Sequence, residues 1–466
     1  MEQTKKQSYS RNLLVAILLL GAFMAVLNQT LLLTATPQIM EEFSLTENTA
    51  QWITTIFMLI NGIMIPISAF LMESFTSRRL YLLSMVIFII GTLISAISLN
   101  FSMLMVGRIV QAIGAGIIFP LMMTIFMLIF PIQRRGFAMG IAGLVISFAP
   151  ALGPALSGWM VEFLPWRSLF YFIIPLAILD LLAAFFFMRN IITLTYPKVD
   201  VLSIILSTLG FGGLLYGFSS AGNYGWTNIA VLASIIIGAL SLTWFILRQL
   251  RLVEPVLEFR VFQHKTFTLA TVIGMVVFTV LIASETILPI YMQVMANFNA
   301  LEAGLVILPG AMLTGLLSPI VGKIFDAIGG RWLLIIGLFI ITVTTLLFTN
   351  LTTETSLTYL TVSFAVRMFG LSMVMMPATT AGLNILPDKL MPHGTAMMNT
   401  MRQVAASIGT GAFITIMTIS AKDPETFGAQ GLIHGVNVSF YAMTAVTFVA
   451  FILALFVKDS SPYRLK

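Results

Sequence analysis

Five ionisable side chains lie inside long apolar segments of the sequence, where a charge is costly unless it is paired or in contact with water. They are Arg108, Asp180, Glu285, Arg367 and Arg402. A carboxyl group in such a setting can take up and release a proton near neutral pH, especially when a cation moves toward or away from it. Glu285 and Asp180 are therefore candidate proton carriers.

Each of these two carboxylates also has a purely structural interpretation. Glu285, in LIASETILP, could form a permanent ion pair or provide a cation contact for a substrate. Asp180, in PLAILDLLAAF, could lie near one end of its helix and pair with Arg189 or a neighbour. The depth of a residue in an apolar segment does not decide between these alternatives.

Polar residues at similar depth could contact a substrate, water or another helix. The first apolar segment carries Asn28, Gln29 and Thr30, and hydrogen bonding between helices explains such a cluster as well as ligand binding does. The other candidate cavity residues are Gln111, Asn399, Arg402 and Gln403. With 29 methionines and 37 phenylalanines, the chain could line an adaptable cavity for varied apolar ligands.

The sequence shows no enzyme-like constellation and implies no cofactor. It has no phosphate-binding loop to use ATP, and His264, His393 and His434 do not have the spacing of metal ligands. There is no cysteine, which excludes disulfides, thiol chemistry and Cys-based metal sites. We therefore predict no catalytic residue and no metal site.

Long apolar segments must position these residues. The 466 residues are 59% hydrophobic and only 9% charged, with a mean hydropathy of +1.01, whereas about 25% of residues are charged in soluble domains. Apolar runs near the length needed for a helix to cross a bilayer recur along the chain, and the strict alternation of a membrane barrel is absent. The sequence predicts an all-α polytopic membrane protein with fourteen transmembrane helices.

Basic residues lie in the short connections that alternate with the apolar segments, as in Arg78 and Arg79, Arg134 and Arg135, or Arg248 and Arg251. This charge asymmetry predicts a multi-pass membrane protein with both termini in the cytoplasm. The net charge of +6 is explained by these connections, so we predict no nucleic-acid partner.

The chain repeats itself. Glu73 and Arg78 align with Asp326 and Arg331, Arg108 aligns with Arg367 at a slightly larger offset, and the GFAM segment at 136–139 aligns with GTAM at 394–397. Two homologous bundles of six helices with a two-helix insertion explain these matches. The predicted parts are a cytoplasmic N-terminus at 1–12, an N-terminal bundle at 13–190, an inserted transmembrane hairpin at 201–247, a cytoplasmic interfacial linker at 248–266, a C-terminal bundle at 267–457 and a cytoplasmic tail at 458–466.

One membrane-length segment, GLVISFAPALGPALSG at 143–158, has small residues and prolines where large apolar residues are usual. Small residues let helix backbones approach closely, and membrane helices tolerate proline where neighbours satisfy the freed carbonyls. We interpret the segment as a bendable helix in a moving interface, although a rigid close-packed helix pair has the same composition. Its motif residues are Gly143, Pro150, Gly153, Pro154 and Gly158.

Several longer motifs resemble the major facilitator superfamily, and in particular its fourteen-span drug:proton antiporter branch of the EmrB/QacA type. They are LNQTLLLTATPQI, MVGRIVQAIGAGIIFP, GLVISFAPALGPALSGW, VEPVLEFRVF, GKIFDAIGGR and GTAMMNTMRQVAASIG. The resemblance covers nearly the whole chain and is strongest to the lincomycin-resistance (LmrB-like) subgroup, which implies a location in the bacterial cytoplasmic membrane. It implies two bundles that rock around a central cavity, with Arg108 and the glycine–proline helix taking part in proton-coupled antiport.

The chain departs from this family pattern at two places. Asn28 stands where many relatives have a membrane aspartate, which would move the proton role to Glu285 or Asp180. In the first loop motif Ala69, Glu73 and Thr76 stand where glycine, aspartate and glycine are usual in the family, whereas the second copy is intact. We therefore expect a stronger cytoplasmic latch in the second half, among gate residues Glu73, Arg78, Arg79, Gly322, Asp326 and Arg331.

Together these features predict a proton-coupled multidrug efflux antiporter that exports amphipathic small molecules by alternating access. Its partners would be those substrates, protons and membrane lipids, and it would function as a monomer. Export of a native lipid or metabolite by the same fold is an alternative that sequence does not separate. A channel or a membrane enzyme is a third, which the twofold repeat and the missing catalytic constellation disfavour.

Overall fold

The computed structural model describes residues 11–197, 199–423 and 427–457. Most of the predicted N-terminal segment 1–12 and all of the predicted tail 458–466 lie outside the described residues. Within the described ranges no strand is present, and fourteen helices are long and apolar enough to cross a membrane. The predicted all-α polytopic fold class with fourteen membrane spans is confirmed.

Short connections join successive helices. Those of the first half are α1 Arg11–Thr30, the short α2 Thr36–Phe43 and α3 Glu47–Ala50, then α4 Trp52–Ser74, α5 Ser77–Ala96, α6 Phe101–Ile129, α7 Arg135–Phe163 and α8 Ser168–Phe187. The inserted hairpin is α9 Val201–Tyr224 and α10 Ile229–Arg251. The second half comprises α11 Lys265–Ile290, α12 Ala300–Ile328, α13 Arg331–Leu347, α14 Leu357–Asn384, α15 Met391–Ser420 and α16 Ala429–Leu455.

Helix ends follow local capping chemistry. The Asn100 side chain accepts a hydrogen bond from the Met103 amide at 2.9 Å, and Asn299 with Glu302 forms a reciprocal capping box at the start of α12. The first span ends at Thr30, and after a turn the separate short helix α2 begins at Thr36. Pro37 lies in the first turn of α2, where its missing amide removes no helical hydrogen bond.

The helix order places alternate helix ends on opposite sides of the bundle. One core cluster fills the first half and continues into the first turns of α11 and α15 and the end of α14, and a second cluster fills most of the rest of the second half. We call one side the Asp326 end, which also holds Glu73 and His393, and the other the Glu42 end. In the first half α5 packs on α6 and α8, and α1 packs on α6, α7 and α8. In the second half α14 packs on α11, α12 and α13, and α15 packs on α11 and α16.

The two halves meet chiefly toward the Asp326 end. Helix α7 packs along α12, and helix α15 packs on α4 and α6. Near the Asp326 end, a Cβ added at Gly136 would lie 2.5 Å from the Gly322 carbonyl oxygen. Toward the Glu42 end α7 turns to α1 of its own half, and Gly158 and Gly304 have open space at their Cβ positions. The interface therefore closes at one end of the molecule.

Candidate transport pathway

The Arg108 guanidinium is fully buried in the first half and is held by neutral groups. Its Nε donates to the Ile53 carbonyl at 3.1 Å, and one terminal nitrogen donates to Asn28 Oδ1 at 2.5 Å and Gln111 Oε1 at 2.9 Å. The guanidinium carbon also lies 4.3 Å from the Phe57 ring centre, and Arg108 makes no ion pair in the described part of the chain. Arg108 is thus a buried cation whose partners are amides, carbonyls and a ring.

The predicted polar residues of the first half differ in their burial and in their hydrogen-bond partners. Asn28 and Gln111 are fully buried, and Gln111 passes the network on to Thr92 by a hydrogen bond of 2.9 Å. Gln29 is only half-buried. Thr30 donates to the Pro150 carbonyl at 3.2 Å, the helical acceptor that has no amide partner because residue 154 is a proline.

The second half carries a similar arginine in a different setting. Arg367 donates to the Val280 carbonyl of α11 at 2.8 Å, as Arg108 donates to the Asn28 carbonyl of α1 at 3.2 Å. Glu285, one turn further along α11, is partly exposed and forms no hydrogen bond or ion pair with the described residues, although the charge of Arg367 acts on it. The buried NH1 nitrogen of Arg367 also lacks a hydrogen-bond partner there. Glu285 and Arg367 are therefore near enough for their charges to interact, without a direct contact between them.

Asp180 has a partner that the sequence did not indicate. The Tyr81 hydroxyl lies 2.6 Å from Asp180 Oδ2 and 3.0 Å from the Ile17 carbonyl oxygen, and Arg189, which the sequence offered as one possible partner, forms no hydrogen bond or ion pair with Asp180 in the described ranges. Tyr81 has one hydrogen for these two acceptors, so it can donate fully to only one of them at a time. The pair lies among α1, α5 and α8, inside the first half and away from its interface with the second.

The remaining predicted cavity residues lie on α15. Arg402 is buried against Gly274 of α11 and donates to Thr379 Oγ1 at 2.5 Å, while its Nε has no partner in the described ranges. Asn399 is half-buried, and its amide lies 3.5 Å from the Met123 sulfur across the interface between the halves. Gln403 is half-buried and faces α4, 3.4 Å from a Cβ added at Gly62.

The glycines of α7 divide this helix between the two halves. Gly143 faces Ser318 and Met376 of the second half, whereas Gly153 packs on Thr30 of the first. A small cavity beside Gly143 is lined by Ile146, Ser147, Thr314, Ser372 and Met375. Pro150 lies between these two contact surfaces and Pro154 directly follows the second, so a bend at Pro150 would change one contact without moving the other.

The predicted gate residues form two unlike links between the halves. The Asp326 carboxylate accepts hydrogen bonds from the Gly136 and Phe137 amides, at 2.7 and 2.9 Å, and so caps the first turn of α7. Glu73 lies 3.1 Å from His393 Nε2. Because His393 Nδ1 accepts from the Glu258 amide at 3.4 Å, the proton of the neutral ring is on Nε2 and points to Glu73.

The other gate candidates stay within their own halves. Arg78 donates to the Phe185 carbonyl, Arg331 donates to the Leu455 carbonyl at 3.4 Å, and Arg79 is exposed. Sequence reasoning missed Tyr81 and His393 because their hydrogen-bond partners, Asp180 and Glu73, are distant in the chain. The one available signal was Asp180 itself: a buried acid needs a polar partner, and a tyrosine on a neighbouring helix is one of the side chains that can provide it.

Outside the spans, two acids are held by arginines. The hydrogen bond from Arg167 keeps the pKa of Glu42 below its usual range despite partial burial, and Trp166 donates to the same carboxylate at 2.7 Å. Partial burial acts to raise the pKa of Asp200, but the hydrogen bonds from Arg248 and Ser203 together lower it. These pairs fix the Glu42 end of the first half and the base of the hairpin.

Comparisons with known proteins agree with this architecture. The family model described as Major Facilitator Superfamily matches residues 18–410. The chain is 52% identical over 455 residues to the uncharacterized MFS-type transporter YcnB of Bacillus subtilis, covering 97% of this chain and 96% of that protein. It is 42% identical over 456 residues to the lincomycin resistance protein LmrB of Listeria monocytogenes, covering 96% and 97%.

A solved structure shows the same fold at low identity. The human organic anion transporter MFSD10 superposes with a TM-score of 0.67 over 96% of this chain and 100% of that one, at 15% identity. The fourteen spans and the family match at 18–410 together identify the family of this chain. The chain belongs to the major facilitator superfamily and is a multi-pass membrane transporter.

Proposed function

We propose that this transporter is a proton-coupled exporter of amphipathic small molecules. The observation that carries the proposal is Glu285, a carboxylate within a membrane span that is partly exposed, has no hydrogen bond in the described residues and faces the charge of Arg367. An acid held this loosely can exchange its proton when the surrounding helices move. The relatives named for lincomycin resistance indicate the class of substrate.

The halves at 13–190 and 267–457 are the proposed rocking units. Basic residues collect at the Asp326 end, and we assign this end to the cytoplasm together with both termini. With that end closed by Asp326 and by the Glu73–His393 link, the molecule is in an outward-facing state. Release of both links would open the pathway to the cytoplasm.

The proposed site residues then have distinct roles. Glu285 carries the proton and Arg367 stabilises its charged form. Arg108 holds α1, α4 and α6 of the first half together through its hydrogen bonds, and Asp180 is the second candidate proton carrier. Substrate contacts would come from half-buried polar groups at the interface, namely Gln29, Asn399 and Gln403, with Arg402 beside them. The glycine–proline helix α7 would bend as the halves rock.

Transport by the purified protein in vesicles tests this function. Lincomycin transport is measured with and without an imposed pH gradient, for the wild type, Glu285→Gln and the matched variant Asp180→Asn. We expect the gradient-driven rate of Glu285→Gln to fall at least about tenfold, the size of a typical coupling free energy, while gradient-free exchange persists. Unchanged coupling in Glu285→Gln would remove Glu285 from the mechanism, and a larger loss in Asp180→Asn would move the proton to Asp180.

A further inference from the structure

The inserted hairpin touches both halves of the transporter through one helix. Helix α9 packs on α4 of the first half and on α15 of the second, whereas α10 packs on α9 and on the short helix Phe259–Gln263 of the linker. At the Asp326 end α4 and α15 meet directly through Glu73 and His393. Toward the Glu42 end α9 fills the groove between them. The hairpin must therefore accommodate any rocking of the halves.

The contact of α9 with α4 is apolar over their described membrane-spanning parts. Leu215 Cδ1 lies 2.5 Å from a Cβ added at Gly62, and Ile63 Cδ1 lies 2.9 Å from one added at Gly212. Tyr216 stacks on Trp52 with ring centres 5.6 Å apart. Apolar surfaces of this kind can slide in a bilayer at little cost, since lipid tails and neighbouring side chains offer similar contacts.

The contact of α9 with α15, in contrast, includes hydrogen bonds, which hold the two helices in one relative position. Ser407 donates to the Leu215 carbonyl at 3.3 Å, and the Trp226 indole in the turn after α9 donates to Thr415 Oγ1 at 2.7 Å. A Cβ added at Gly411 would lie 3.1 Å from the Phe218 carbonyl oxygen, so the backbones are close. Polar groups released inside a bilayer have no water to replace their partners.

The linker after α10 is also attached to the second half. The Glu258 amide donates to His393 of α15 at 3.4 Å, and the short helix Phe259–Gln263 packs on α11 and α15. Phe262 of this helix lies edge-on to Phe267 of α11 with ring centres 5.5 Å apart. The turn between α9 and α10 and the linker after α10 are thus attached to the second half, whereas the segment before α9 is attached to the first half through the Thr195 and Tyr196 amides, which donate to the Glu73 carbonyl at 3.2 and 3.4 Å.

We propose that the hairpin moves with the second half during transport and that its contact with α4 is the sliding surface. The proposal rests on the proposed function in assuming that the halves rock. In this arrangement α9 forms a wall of the pathway, and it keeps the groove between α4 and α15 filled while α4 moves past it.

The absence of cysteine makes the test direct, because no native thiol competes with an introduced pair. Two disulfide variants share one α9 position: Leu215→Cys with Gly62→Cys, and Leu215→Cys with Ser407→Cys. Gradient-free substrate exchange in vesicles is the readout, so the result does not depend on proton coupling. We expect the bond to position 62 to slow exchange at least about tenfold, reversibly with reductant, and the bond to position 407 to leave it within about twofold.

The reverse pattern, or an equal block by both bonds, would overturn the proposal. A second measurement does not require transport at all: spin-label distances from Leu232 on α10 to Leu83 on α5 and to Tyr441 on α16, all exposed positions. They are compared under conditions where the distance from Leu83 to Tyr441 shows two populations. The distance from Leu232 to Tyr441 should then stay single while the distance from Leu232 to Leu83 divides, and the opposite assignment would place the hairpin with the first half.

Discussion

Arg108 and Arg367 occupy matching places in the two halves but are held very differently. Arg108 makes four hydrogen bonds, to the Ile53 carbonyl, to both the carbonyl and the side chain of Asn28, and to Gln111, and it lies over Phe57. Arg367 makes one among the described residues, to the Val280 carbonyl. The two halves thus share the position of the charge but differ in what surrounds it.

The carboxylates follow the same division. Asp180 shares a short hydrogen bond with Tyr81 inside the first half, whereas Glu285 has no hydrogen-bond partner in the described residues and is partly exposed. Strongly bonded charges stiffen a bundle, and loosely bonded ones respond to their surroundings. This difference is the basis for our proposal that the first half is the rigid frame and that the second half carries the exchangeable charge.

Removing each arginine in turn should give the largest contrast between the halves. Arg108→Ala leaves the buried acceptors of Asn28 and Gln111 without this donor, at about 1–3 kcal/mol each, so we expect a large fall in the thermal unfolding midpoint. Arg367→Ala costs less, because Ser284 still donates to the Val280 carbonyl at 2.7 Å. Unfolding in detergent, followed by tryptophan fluorescence, measures both.

Arg79→Ala, at an exposed position, is the matched control and should leave the midpoint unchanged. Transport should show the reverse order in correctly folded protein: Arg367→Ala loses proton coupling while its midpoint stays near that of the wild type. Equal midpoints for the two buried variants would end the distinction between a fixed and a responsive arginine.

The sequence predicted the fold well and the site only in part, for reasons visible at these residues. Apolar length and basic connections define the fourteen spans locally, and those spans are confirmed. The depth of Asp180 and Glu285 could also be read from the chain. Their partners could not, because Tyr81 is 99 positions from Asp180 and Arg367 is 82 positions from Glu285, and only helix packing brings each pair together.

The two links at the Asp326 end allow a second contrast, of intermediate size. Asp326→Asn removes the charge and one of two acceptors at the first turn of α7, an effect of about 1–2 kcal/mol at a partly buried helix N-terminus. We expect this end to open more often, so that a cysteine introduced at Ser147 reacts several times faster with a membrane-impermeant thiol reagent from the Asp326 side. The cysteine-free background leaves no competing thiol.

Glu73→Gln should have a smaller effect on the same rate, because a glutamine oxygen still accepts from His393 Nε2. The expectation that the intact second loop motif forms the stronger latch is correct only if Asp326→Asn raises the reaction rate more than Glu73→Gln does. A faster reaction in Glu73→Gln than in Asp326→Asn would make the Glu73–His393 link the main latch, despite the eroded motif that carries it.

Restoring an acid beside Arg108 gives the smallest expected effect. Asn28 Oδ1 lies 2.5 Å from the NH1 nitrogen of the Arg108 cation, so Asn28→Asp replaces a neutral acceptor by a carboxylate and forms an ion pair without moving an atom. Desolvation of the new charge offsets much of the added attraction, and we expect a modest rise in the unfolding midpoint that added salt does not remove, because the pair is buried. Gln29→Glu, one residue along the chain and half-buried, should give no such rise.

In the Arg108→Ala background the effect of Asn28→Asp on the unfolding midpoint should reverse in sign, since the same aspartate is then a buried charge with no cation. A rise in both backgrounds would mean that Arg108 is not the residue on which position 28 acts.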